Sequence, residues 1–123
     1  MQIPVVDIFA GPGGLGEGFS AFSPRQRSSE MPFRIAISAE MEANAARTLR
    51  LRAFFRQFSS GHAPKSYYDY LAGRADVPWT TATEPEWIAA GEEARQLTLG
   101  VPDHDAFLHD RVRRVAGNAE PWV

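Results

Sequence analysis

The stretch VDIFAGPGGLGEGF, Val6 to Phe19, joins two kinds of local structure across a glycine turn. On its amino-terminal side IPVVDIF, Ile3 to Phe9, is almost continuously apolar and β-branched, which suits a strand covered on both faces, as in a parallel sheet. Asp7 is the one charge inside it. On the carboxyl side Leu15, Phe19 and Phe22 recur at i, i+4 and i+7 and so define one face of a helix. Gly11, Gly13 and Gly16 fit G-x-G-x-x-G between that strand and that helix, where glycines let backbone N–H groups approach a nucleotide and the helix start favours a negative group. The same turn also serves as a plain strand-to-helix connection.

Beyond it, SPRQRSSEMP (Ser23 to Pro32) is polar and aperiodic and reads as a loop, and FRIAISA (Phe33 to Ala39) reads as a second strand. Glu40 closes that strand. Residues Glu42 to Phe58 are rich in alanine, leucine and arginine and free of glycine and proline, so a helix is expected there. Two βα units are thereby in place. Residues 59–102 lack strand alternation and read as a mostly helical or irregular insertion. Within it Thr83 and Glu86 have capping-box spacing, and Trp87, Ala90, Ala94 and Leu97 form one stripe ahead of Gly100. Residues 103–123 predict a last helix that starts at Asp103 or Asp105 and buries Phe107, Leu108, Val112 and Val115, then stops at Gly117; AEPWV leads into a further strand. The expected fold class is α/β, an incomplete parallel sheet with flanking helices, because two such strands need neighbours on their edges and cover on both faces.

Glu40, at the carboxyl end of the second strand, is placed to accept hydrogen bonds from both hydroxyls of a ribose. An exposed acid at a helix start, favoured by the dipole, is the alternative. From the glycine turn and Glu40 alone, a nicotinamide dinucleotide stays open as the ligand.

The string VDIFAGPGGLGEGF, however, resembles the first conserved motif of DNA cytosine-5 methyltransferases, and ISAEMEANAARTL, residues 37 to 49, resembles the second. The resemblance covers about the first half of the chain. It implies a Rossmann-like, class I S-adenosylmethionine-dependent methyltransferase fold whose residues 1–58 bind S-adenosylmethionine, in a parent enzyme of a restriction-modification system. Carried over position by position, it places Phe9, Ala10, Gly11, Gly13, Gly14 and Leu15 at the methionine end of the cofactor, Glu40 on the ribose and Met41 on adenine. Met41 departs from the larger apolar or aromatic residue frequent after that acid, yet a soft, flexible side chain covers a base too. Backbone amides suit the methionine carboxylate, and the face of Phe9 suits the sulfonium.

The family activates cytosine with a cysteine in a Pro-Cys motif, and this sequence of 123 residues contains no cysteine. No catalytic residue is therefore assigned. PWV, Pro121 to Val123, resembles the start of the strand leading to that motif. Double-stranded DNA is the expected partner through polypeptide not present here; the alternative is a split or decayed subunit whose sheet a second polypeptide completes. Charge is uninformative: a net −2 and a pI of about 5.9 give no basic field, so any nucleic acid needs a local patch. No leader pattern and no eighteen-residue apolar run is present, making a cytoplasmic, non-membrane protein the expectation.

The remaining constellations point to structure rather than chemistry. His104 and His109 lie about 140° apart on a helix, so no metal site is expected. Arg47, Arg50, Arg52 and Arg56 read as a solvated helix face, Arg111, Arg113 and Arg114 as answers to a helix dipole, and Tyr67, Tyr68 and Tyr70 as cover for the insertion.

Overall fold

A computed structural model describes residues 2–24, 31–117 and 121–123. Positions 25–30 of the expected polar loop and 118–120 of the expected lead-in to a strand lie outside the described residues. The elements are β1 (Ile3–Ile8), α1 (Gly14–Ala21), β2 (Phe33–Glu40), α2 (Ala43–Arg56), α3 (Lys65–Leu71), α4 (Glu84–Glu93), β3 (Ala94–Gln96) and α5 (Pro102–Ala116). The class is α/β: an open, all-parallel sheet in the order β1-β2-β3 with helices around it, compatible with part of a Rossmann-like sheet. No helix among the described residues is long and apolar enough to cross a membrane.

Two apolar clusters lie on the two faces of this sheet. On one face Leu49, Ala53 and Phe54 of α2 meet Ala90 of α4 and Ala94, with Phe54 fully buried in edge-on contact with Phe58 and Trp87. Tyr67 of α3 packs on Phe54 and Phe55, so this tyrosine does cover the insertion. On the other face Ile37, Ala39 and Leu97 pack on Leu108 of α5, flanked by Val6, Phe107 and Val112. A bulge moves the β1–β2 pairing from Val5↔Ile35 to Val6↔Ile37. The bulge explains how Ile35, beneath Gly16 of α1, and Ile37, against α5, serve opposite faces although two residues apart.

Three expectations are corrected. The helix read through Trp87, Ala90, Ala94 and Leu97 ends at Glu93, and Ala94–Gln96 is a third strand pairing Ser38, Ala39 and Glu40 of β2. Three residues without β-branching carry no periodicity by which to announce a strand. The capping box belongs to Thr80 and Thr83, around a single 3-10 turn at Thr81–Thr83; α4 itself starts at Glu84 with no side-chain cap from Thr83. The apolar stripe of α1 is only partly covered: Phe19 and Phe22 meet the Phe33 ring of β2, yet Leu15 is 66% and Phe22 50% exposed, and the buried residue of the helix is Gly16. A glycine edge brings the helix axis closer to the strands than a leucine edge allows. The arginines of α2 are not uniformly solvated either, since Arg56 bridges Glu17 of α1 and Glu93 of α4.

The tail bears on topology. Val123 donates to the Pro4 carbonyl (3.0 Å) and accepts from the Val6 N–H (2.6 Å), the bonding pattern of a parallel neighbour to β1 on the edge away from β2. From β1 the chain runs outward through β2 and β3, then returns across α5 to the opposite side of β1. β1 thus has partners on both edges, β2 on one and Val123 on the other, and in open α/β sheets ligands bind outside the carboxyl ends of the strands.

Candidate functional site: the glycine turn and Glu40

The carboxyl end of β1 leads straight into the glycine turn. Phe9 follows it with a positive φ of 59°, an uncommon and strained conformation for a bulky residue, and its side chain is 77% exposed. Phe9 is thus not a core residue closing a strand. Ala10 N–H donates to the Ala39 carbonyl (3.0 Å) and Gly13 N–H to the Ala10 carbonyl (3.1 Å), which folds residues 10–13 into a tight turn over the end of β2. Gly13 sits in the left-handed region (φ 94°) at the N-cap of α1, where it has no side chain to cap the helix. The first intrahelical bond is Glu17 N–H to the Gly13 carbonyl, so the amides of Gly14, Leu15 and Gly16 are left without helical partners at the positive end of the dipole.

Glu40 meets this turn directly. Its Oε2 accepts from Gly11 N–H at 2.8 Å, while Oε1 accepts from the N–H groups of Met41 and Glu42, each at 2.8 Å. The amides of Glu42 and Gly11 are the main causes that hold its carboxyl below the ordinary glutamate range. Sequence reasoning treated Glu40 as a ribose acceptor; the structure shows it first as a clamp joining the ends of β1 and β2. A carboxylate offers about four acceptor positions. Three are engaged, which leaves room for one ribose hydroxyl on Oε2 rather than the two expected, unless a backbone amide gives way.

The other expected positions surround the clamp. Met41 is 62% exposed, and its carbonyl accepts from the side-chain amide of Gln96 (3.2 Å), so the carboxyl end of β3 closes on the same place. Gln96 was invisible to sequence reasoning because β3 was. A Cβ built at Gly11 or Gly14 would meet no atom within 4 Å, whereas one at Gly13 would stand 2.8 Å from Leu49 Cδ1. Gly11 and Gly14 therefore border open space, while Gly13 is there to let the turn lie on α2. Outside this cluster, His104 Nδ1 accepts from Thr98 N–H (2.8 Å) and Arg111 pairs with Glu92, so both hold structure.

Beneath α1, Asp7 is buried with Oδ2 lacking a hydrogen-bond partner among the described residues, close to where a Gly16 side chain would begin. Burial pushes its carboxyl up. A raised carboxyl pKa means that ionisation opposes folding above that pKa and that the penalty disappears as pH falls through it. Asp7→Asn is therefore expected to be more stable than the wild type at neutral pH in urea denaturation, with the advantage shrinking in acid. A variant less stable than the wild type at pH 7 would show that the ionised carboxylate is favoured where it lies.

No protein-family model, curated protein or solved structure matches the chain.

Proposed function

We propose that the chain is the S-adenosylmethionine-binding part of a DNA cytosine-5 methyltransferase of a restriction-modification system, with a Rossmann-like class I methyltransferase fold. The observation that carries this reading is the bond from Gly11 N–H to Glu40 Oε2, which unites two motifs 29 residues apart at the carboxyl ends of adjacent parallel strands. Further support comes from the exposed, strained Phe9 and from the uncapped amides of Gly14 and Leu15 beside open space. In the bound state the first-turn amides would receive the methionine carboxylate, Phe9 would lie against the sulfonium, Glu40 would hold a ribose hydroxyl and Met41 would cover adenine. The cofactor supplies the methyl group. Attack on cytosine needs a thiolate that these residues do not include, so the chain's own share of the chemistry is to bind and orient.

Calorimetric titration with S-adenosylmethionine, S-adenosylhomocysteine and NADH separates the alternatives. Saturable heat with the first two and none with NADH is the expected result. Binding of NADH alone would move the assignment to a dinucleotide-binding oxidoreductase.

A further inference from the structure

A second site lies behind α2, in a groove of about 530 Å³ bordered by α2, α3, α4 and β3. Three arginines are among its lining residues, Arg47 and Arg50 on α2 and Arg95 on β3, with Asp76 the one lining carboxylate among the described residues; the Arg95 guanidinium also lies 4.5 Å from the centre of the Phe107 ring and 3.8 Å from Glu92 Oε1. Three positive charges less those of Asp76 and of Glu92, the partner of Arg95, leave a local +1 in a chain whose formal net charge is −2. Arg50 is held rigidly. Its Nε and Nη2 donate to the Trp87 carbonyl at 3.3 and 2.8 Å, and its Cζ lies 3.9 Å from the centre of the Trp87 ring.

The seat beneath that guanidinium is a glycine. A Cβ at Gly91 would come within 2.7 Å of Arg50 Nη2, so the group occupies a hollow that a side chain would fill. Glycine inside a helix is less favourable than alanine, and here it admits the cation. Burial, with the nearby charge of Arg95, lowers the Arg50 pKa, the mark of desolvated cations placed together. A tie between α2 and α4 accounts for Arg50 alone. It does not account for Arg47 and Arg95 lining the same cavity, where a cluster of like charges suits an anion.

We propose that the groove formed by Arg47, Arg50 and Arg95 binds a phosphate group, carried either by a small phosphorylated ligand or by a nucleic-acid backbone. S-adenosylmethionine carries no phosphate, and the groove is a different place from the glycine turn, so this site stands or falls independently of the cofactor assignment. Guanidinium groups suit phosphate because each presents planar paired donors, and a charge-assisted bond of that kind contributes about tenfold in affinity.

The test uses the full chain at low salt with two probes: inorganic pyrophosphate followed by calorimetry, and a short fluorescein-labelled DNA duplex followed by anisotropy. Saturable binding of at least one probe is expected. Arg47→Ala and Arg95→Ala should each weaken it about tenfold, and Gly91→Ala should weaken it with all charges kept, by dislodging Arg50. Circular dichroism should show each variant folded. Duplex binding that pyrophosphate displaces, with a salt slope reduced by about one in Arg95→Ala, assigns the groove to a nucleic-acid backbone. Pyrophosphate binding without duplex binding assigns it to a small ligand. The proposal is overturned if the folded wild type binds neither probe, or if the Arg47→Ala, Arg95→Ala double variant binds both as tightly as the wild type.

Discussion

Gly13→Val is expected to destabilise the chain by about 4 kcal/mol, a fall of about 10–15 °C in the thermal midpoint. Two costs add. At φ 94° a β-branched residue is forced into a conformation that L side chains rarely adopt, at about 1–3 kcal/mol. Its Cβ would also begin 2.8 Å from Leu49 Cδ1, in a cluster where Leu49 is only 3% exposed, and overpacking of that kind adds about 1–3 kcal/mol. Leu49 sits mid-helix opposite Phe54 and Ala90, so it cannot retreat without opening the core. Thermal unfolding followed by circular dichroism gives the answer, and a midpoint within about 2 °C of the wild type would mean that the turn does not lie on α2 as described. Loss of ligand binding in this variant would report on folding first. Gly11→Ala is the cleaner probe of the site: its φ of 57° adds about 1–2 kcal/mol of strain, but the new methyl group meets only open space.

Glu40→Gln is expected to weaken S-adenosylmethionine binding by about 100-fold, with a loss of stability of about 1 kcal/mol. The carboxylate accepts three backbone N–H bonds at once, and an amide must turn its NH2 group toward one set of those donors. Turned toward Gly11 it releases the glycine turn; turned toward Met41 and Glu42 it loosens the start of α2. Either way the two motifs no longer hold one another, and the acceptor for the ribose hydroxyl is lost. The modest stability term reflects the partial exposure of the side chain.

Its pH dependence follows from the lowered folded-state pKa. The contribution is fully present above the unfolded value of about 4.5 and is lost as pH falls through the folded one. The stability gap between wild type and Glu40→Gln, measured by urea denaturation, should therefore close in acid. Glu42, also held low by the amides of Asn44 and Ala45, titrates in both proteins, and in Glu40→Gln it loses the Glu40 charge that pushes it up. A gap that stays constant from pH 7 down to about pH 3 would show that ionisation of Glu40 does not stabilise the fold.

The parts of the fold that were legible in the sequence are those where composition and spacing agree. β1 and β2 are runs of β-branched and small apolar residues, α2 is free of glycine and proline, and the glycine turn between β1 and α1 carries its own pattern. β3 was not legible, because a strand can be as short as Ala94–Gln96 when β2 supplies its partner along one whole edge. The shared face of Leu15, Phe19 and Phe22 on α1 was legible, whereas the close approach of Gly16 to the sheet was not, because it depends on how the helix lies on β1 and β2. At the site, residue types and their positions at strand ends were readable from the two motifs. What the sequence did not contain was the hydrogen-bond census of Glu40, since a carboxylate's engagement with Gly11, Met41 and Glu42 depends on the register of two strands. The strain at Phe9 was hidden for the same reason: φ is a property of the turn that the clamp imposes.

The most direct test of cofactor binding at the glycine turn is the mapping of backbone amide resonances of the labelled chain during titration with S-adenosylmethionine. Saturable shifts at Gly11, Gly14, Leu15 and Met41, with Arg47, Gly91 and Arg95 unmoved, are the expected result. A folded chain that shows no saturable shifts, or shows them away from the glycine turn, would contradict the assignment of this site.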